Sequence, residues 1–165
     1  MDPKTIKRIV VATDFTELSS EAVETAVAFA HECGATLDLV HVASEMAFAV
    51  PPPMEMVTVP FDVAGAVRDA SQRMSVEEER VRARGVQCES NVLVGRADAE
   101  IVEHADKTHT DLIVMGTHGR SGLPHVLLGS VAERVVQHAH CPVLTVPLKH
   151  LPQQAGTGAP TSPGR

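Results

Sequence analysis

Apolar residues fall in short unbroken runs, separated by stretches where they recur at helical spacing. The run Arg8-Ile9-Val10-Val11-Ala12 has no polar alternation, which predicts a strand buried on both faces. Ala22, Val23, Ala26, Val27 and Ala30 then follow at helical intervals and predict a helix running to about Cys33. Ser19 or Ser20 is the expected cap of this helix and Gly34 its stop. The same reading predicts strands over 37–42, 88–94, 112–115 and 142–146. It predicts helices from Phe61-Asp62 to about Arg84, ended by Gly85, from Asp98 to about Thr108, and over 130–138.

Strands that alternate with helices imply an α/β fold: a doubly wound, five-stranded parallel sheet with right-handed crossovers and helices on both faces, of Rossmann-like type. A ligand in such a sheet sits beyond the carboxyl ends of the strands, at the switch point. Thr13-Asp14, Val42-Ala43, Gly95 and Gly116 stand at those ends. The pattern breaks over 43–60, where three Met and four Pro, including Pro51-Pro52-Pro53, predict a long loop that is functional or mobile. Beyond Lys149 the sequence is Pro-, Gly-, Gln- and Thr-rich. The expected organisation is one domain over 1–149 and a disordered tail over 150–165.

Composition narrows the function. Aromatic residues are 2% of the 165 positions, with neither Trp nor Tyr, so the core is expected to be aliphatic. A net charge of −7 and the lack of a basic stripe with interleaved aromatics argue against nucleic acid or a membrane surface as partner. No apolar run approaches membrane-spanning length and the N-terminal segment has no signal-like apolar region, so a cytoplasmic protein is expected. Cys33, Cys88 and Cys141 are odd in number and far apart, which favours buried thiols over a disulfide framework.

The richest segment is Met115-Gly116-Thr117-His118-Gly119-Arg120 followed, after Ser121 to Leu128, by Gly129-Ser130-Val131. Gly116, Gly119 and Gly129 have the spacing G-x2-G-x9-G between a predicted strand and a predicted helix, an arrangement in which backbone N–H groups hold phosphate. Gly116, Gly119, Gly129 and Ser130 are the candidate cradle, or else loop punctuation with Ser130 as a cap. Asp14 can accept from a ribose hydroxyl or an adenine amine, or cap the next helix. Val42 can wall an adenine or belong to the core. Arg120 can fork onto a phosphate or lie solvated. His118 and His125 can contact phosphate or a metal. His138, His140 and Cys141 match no closed zinc pattern. The P-loop pattern and G-x-G-x-x-G are both absent, as are a catalytic lysine, a nucleophile elbow and a paired-carboxylate site.

Several of these stretches, in this order, resemble the universal stress protein family over about Lys4 to Leu148. The carriers are Lys7-Arg8-Ile9-Val10-Val11-Ala12-Thr13-Asp14-Phe15, Leu39-Val40-His41-Val42, Val94-Gly95-Arg96-Ala97, Asp111 to Arg120 with Leu127 to Val135, and Cys141-Pro142-Val143-Leu144-Thr145-Val146. The resemblance implies an adenine nucleotide alpha hydrolase-like fold and the ATP-binding, UspA-like branch, which keeps the glycine loop. It implies ATP, or ADP or AMP, as ligand, with Mg²⁺ or Mn²⁺. Ala12, Thr13, Asp14 and Val42 would surround adenine and ribose, and Gly95, Met115 and Gly116 would flank the ribose. Gly119, Gly129, Ser130 and Val131 would hold the phosphates. A homodimer through Val143–Val146 is implied as well, which agrees with the need to cover an apolar edge strand. The chain departs from many relatives at Ala97 and Ala12, where Pro is common, and at Ala132, where ATP binders often carry Thr. The expected role is a dimeric, nucleotide-dependent stress-response module. A slow ATPase or phosphotransferase using His118 or Ser130, and a nucleotide-free interaction protein, are the other readings.

Overall fold

A computed structural model describes residues 6–44, 62–117 and 128–147. Within them lie five strands, β1 (Arg8–Ala12), β2 (Thr36–Ala43), β3 (Cys88–Val94), β4 (Leu112–Gly116) and β5 (Val143–Val146). Four helices join them, α1 (Glu17–Cys33), α2 (Val63–Arg82), α3 (Ala97–Lys107) and α4 (Ser130–His138). The strands form one parallel sheet in the order β3-β2-β1-β4-β5.

The sheet explains the unbroken apolar runs. Ile9 and Val11 pack with α1 and α2, whereas Val10 between them packs with α3 and α4. β4 divides the same way, with Leu112 and Val114 on the first face and Ile113 and Met115 on the second. The helices separate by face because the chain reverses direction. From β1 it moves outward through β2 to β3, then crosses back past β1 to β4 and β5. A constant crossover hand then places α1 and α2 on one face and α3 and α4 on the other. The doubly wound five-stranded parallel fold predicted from the sequence is the fold observed.

Element ends differ from expectation in informative places. The cap of α1 is Thr16, not Ser19 or Ser20. Asp14 accepts from the N–H and hydroxyl of Thr16, and Thr16 Oγ1 in turn accepts from the Ser19 N–H at 3.3 Å. This local turn chemistry starts the helix one turn before the serines. Gly34 closes α1 at φ +66°, its N–H returning to the Ala30 carbonyl. α2 opens on Asp62, whose side chain accepts from the Gly65 N–H at 2.8 Å. Pro142 lies just outside β5, although its carbonyl accepts from the Ile113 N–H at 3.0 Å. The predicted proline-rich loop over 46–60 and the tail over 150–165 lie outside the described residues.

Candidate functional site

Strand order turns back between β1 and β4, and beyond their carboxyl ends opens a cavity of about 330 Å³. β1 and its turn supply Ala12, Thr13 and Asp14, and β2 supplies Val42. Met115, Gly116 and Thr117 come from the end of β4. The start of α4 contributes Gly129, Ser130, Val131 and Ala132. Nine sequence-selected residues therefore meet around one cavity: Ala12, Thr13, Asp14, Val42, Met115, Gly116, Gly129, Ser130 and Val131. His118, Gly119 and Arg120 lie outside the described residues, as does His125.

The geometry at α4 decides which groups face an anion. Gly129 is the N-cap, with φ −71°, so Ser130 is the first helical residue and not the cap. The Gly129 N–H donates to the Thr117 carbonyl at 2.7 Å, closing the ends of the glycine loop on each other. The first intrahelical bond runs from Glu133 N–H to the Gly129 carbonyl at 2.9 Å. The amides of Ser130, Val131 and Ala132 precede that bond and have no backbone acceptor among the described residues. Three donors at the positive end of a helix dipole thus border the cavity. Gly129 itself lines the cavity, with its N–H already used and a φ that any residue adopts.

The β1–α1 turn forms another part of the wall. The Thr13 N–H donates to the Val40 carbonyl at 2.9 Å, and Thr13 Oγ1 accepts from the Phe15 N–H at 3.1 Å. Oγ1 also shares a hydrogen bond with Ser19 Oγ at 3.1 Å. His41 Nδ1 lies 2.8 Å from the Thr13 carbonyl. A carbonyl only accepts, so this contact places a proton on Nδ1. Asp14 sits at the rim, its Oδ1 ordering Thr16. It serves the helix start indirectly, through the cap residue.

Gly95 is not part of the cavity wall. It turns the chain at φ +148°, its N–H donating to the Ala43 carbonyl at 3.0 Å. A Cβ there would stand 2.7 Å from Glu100 Oε1. The turn instead delivers Ala97 and Ile101 of α3 to the wall. Ala97, Ile101, Thr117, Ala132 and Ser19 are lining residues that the sequence reading did not select. Ala97 and Ala132 figure in the sequence reading only as departures from relatives, and for Ile101 the available signal is spacing, one helical turn after Ala97. His138 and His140 are engaged away from the cleft, by the Arg134 carbonyl and by Asp106. Among the described residues no His, Cys, Asp and Glu side chains gather as three or more potential metal ligands. Nor is any described helix long and apolar enough to cross a membrane.

A doubly wound sheet with a glycine-bordered cleft at its switch point defines the class of protein, and comparison gives the family. The Universal stress protein family matches residues 5–147, and the chain belongs to that family. The universal stress protein MJ0531 of Methanocaldococcus jannaschii is 38% identical over 143 residues, covering 85% of this chain and 81% of its own. YxiE of Bacillus subtilis is 33% identical over 144 residues, covering 84% and 97%. Among solved structures, UspA of Lactobacillus plantarum superposes with a TM-score of 0.75 at 23% identity, over 87% of this chain and 99% of its own. A universal stress protein in complex with cAMP gives 0.65 at 25%, over 86% and 97%. The Archaeoglobus fulgidus universal stress protein in complex with dAMP gives 0.60 at 25%, over 86% and 98%.

Proposed function

We propose that this protein is a cytoplasmic, ATP-binding universal stress protein, a homodimeric module whose nucleotide occupancy changes its shape or its partners. The observation that carries this reading is the start of α4. There the amides of Ser130, Val131 and Ala132 border the same cavity as the apolar side chains Val42 and Met115. A phosphate fits the amide end, and a flat apolar base fits the other. Solved relatives in complex with cAMP and dAMP support an adenine nucleotide as the ligand. In this reading Mg²⁺ or Mn²⁺ is held mainly by phosphate oxygens, which asks for few protein ligands. On the sequence motif, Gly119, Arg120 and His118 are read as further phosphate contacts.

We read the module as a binder, not an enzyme. Around the cavity, the described side chains include no paired carboxylate or lysine poised over a reacting group. The dimer is proposed through β5, an apolar edge strand whose outward backbone groups need a partner. The direct test uses the absence of Trp and Tyr. Freshly purified protein is denatured and its supernatant examined by ultraviolet absorbance and mass spectrometry, then stripped protein is titrated with Mg-ATP and with Mg-GTP. Adenine nucleotide near one per chain, or saturable preference for Mg-ATP, is expected. The absence of both carry-over and saturation would overturn the nucleotide reading.

A further inference from the structure

We infer that Phe15 and Arg73 form a positioning pair that holds the β1–α1 turn in shape, so that α2 sets the affinity of the cleft for its nucleotide. The affinity part rests on the nucleotide reading above.

Phe15 has φ +63°, a left-handed conformation that a bulky side chain adopts only where its surroundings over-determine it. Two contacts on its ring do so. The His41 ring, from β2, lies 4.4 Å away between centroids at 33°. The Arg73 guanidinium, from α2, lies 3.9 Å from the ring centroid, which is cation–π geometry. His41 also donates to the Thr13 carbonyl, and the Phe15 N–H donates to Thr13 Oγ1. One linked set of contacts therefore fixes the residues on both sides of Asp14. Thr13 and Asp14 line the cleft.

Arg73 stands apart from its neighbours on α2. Arg68 pairs with Asp62, Arg80 with Glu24 and Glu77, and Arg82 with Glu78. Among the described residues no carboxylate pairs with Arg73, whose guanidinium lies over the Phe15 ring instead. A second cavity of about 310 Å³, lined by Phe15, Arg73, Val76 and Glu77 among others, adjoins the turn. Thr13 borders both cavities, so the β1–α1 turn is the partition between them. Phe15 also packs against the core. Core packing alone would be served by Leu, and it gives no role to a guanidinium.

The test separates positioning from packing. Mg-ATP affinity and melting temperature are measured for wild type, Arg73→Ala, Arg73→Lys and Phe15→Leu. Amide exchange of residues 14–16 is followed without nucleotide. Arg73→Ala is expected to weaken Mg-ATP binding by about threefold to tenfold with little change in melting temperature, while Arg73→Lys stays within about twofold of wild type. Phe15→Leu is expected to weaken binding like Arg73→Ala. Exchange at residues 14–16 should quicken several-fold in Arg73→Ala, with α3 unaffected. Phe15→Trp introduces the chain's only indole, and its emission should shift when Arg73 is also removed. Wild-type affinity and exchange in Arg73→Ala would overturn the inference. A wild type that binds no adenine nucleotide would overturn the functional reading and the affinity half of this one. Exchange and emission would then decide whether the pair holds the turn.

Discussion

His104 of α3 reaches into the sheet and places Nε2 2.7 Å from Oδ2 of Asp38, a carboxylate only 1% exposed in β2. Asn91 Nδ2 donates to the other carboxylate oxygen at 2.8 Å, and Arg8 Nη1 stands 3.8 Å away. This polar cluster interrupts an otherwise aliphatic face formed by Val10, Val40 and Ile113. Removing Asp38 takes the shared acceptor from partners that are themselves only partly buried. Asp38→Ala is therefore expected to cost about 1–3 kcal/mol, and Asp38→Asn less, since an amide oxygen still accepts from Asn91 or His104. Denaturant midpoints at unchanged m-value are the check. A loss under about 1 kcal/mol in Asp38→Ala would mean that water replaces the carboxylate.

Gly129 tests the proposed anion site. Its φ of −71° suits any residue, so a side chain there leaves the backbone unstrained. Gly129 lines the cavity beside Ser130 and Val131, so a side chain there competes with a ligand for that space. Gly129→Val is expected to lower Mg-ATP affinity at least about tenfold, or about 1.4 kcal/mol, while circular dichroism and melting stay close to wild type. Wild-type affinity in this variant would remove α4 from the phosphate site.

Ala97 is the first residue of α3, and the backbone around it suits Pro. An N–H at the first helical position has no intrahelical partner to lose. Arg96 before it has φ −84° and ψ 118°, the extended conformation that a following Pro demands. Ala97→Pro is expected to stabilise the fold by about 0.4–1 kcal/mol through the unfolded state. In a domain of this size, that raises the melting temperature by roughly 1–4 °C. A lower melting temperature would show that this N–H has a partner.

The proposed dimer edge can be probed without touching the core. Leu144 packs against the α1–α2 core, so a charge there would damage the monomer as well. The carbonyls of Pro142 and Val146 accept from Ile113 and Thr117 of β4 and its turn. Strand alternation then turns the backbone groups of Val143 and Thr145 outward. Thr145→Pro removes an outward N–H and is tolerated on an edge. Sedimentation is expected to show monomers for this variant with its melting curve still cooperative. A variant that remains dimeric would move the interface away from β5.

Much of this fold is legible in the sequence because its signals are local. Unbroken runs such as Arg8–Ala12 leave room only for a strand covered on both faces, and Gly34 and Gly85 mark helix ends by their positive φ. Strand order follows from alternation and crossover handedness. The site was half legible for the same reason. Gly116, Gly129 and Asp14 announce themselves by type and position. Ala97, Ile101 and Ala132 are ordinary helix residues that join the cleft only because α3 and α4 pack side by side. Thr16 displaced Ser19 as the cap through the hydrogen bonds it donates to Asp14, and Ser19 turned inward to Thr13. Propensity ranks these hydroxyls alike and cannot choose among them. The Phe15–Arg73 contact spans two helical connections and leaves no local trace in the sequence.

Cys88 and Cys33 should respond to chemistry in opposite ways. Cys88 is 3% exposed at the start of β3, and burial, reinforced by the nearby Glu78, pushes its thiol up to about 12. Cys33 is exposed at the end of α1. Alkylation at mildly alkaline pH, read by mass spectrometry, should modify Cys33 and spare Cys88 until the protein unfolds. The same shift makes stability fall with alkali. In the unfolded chain the Cys88 thiol ionises near its ordinary value of 9.0, whereas the folded chain keeps the proton to about 12. Across that window the unfolded state binds fewer protons, so the free energy of unfolding drops as pH rises. The slope from this one group is at most about 1.4 kcal/mol per pH unit, and below the window its contribution is constant. Comparing the pH slope of wild type with that of Cys88→Ala isolates the thiol, because the small cavity left by the substitution shifts both ends of the curve equally. Equal slopes would mean that the Cys88 thiol ionises alike in the folded and unfolded chains.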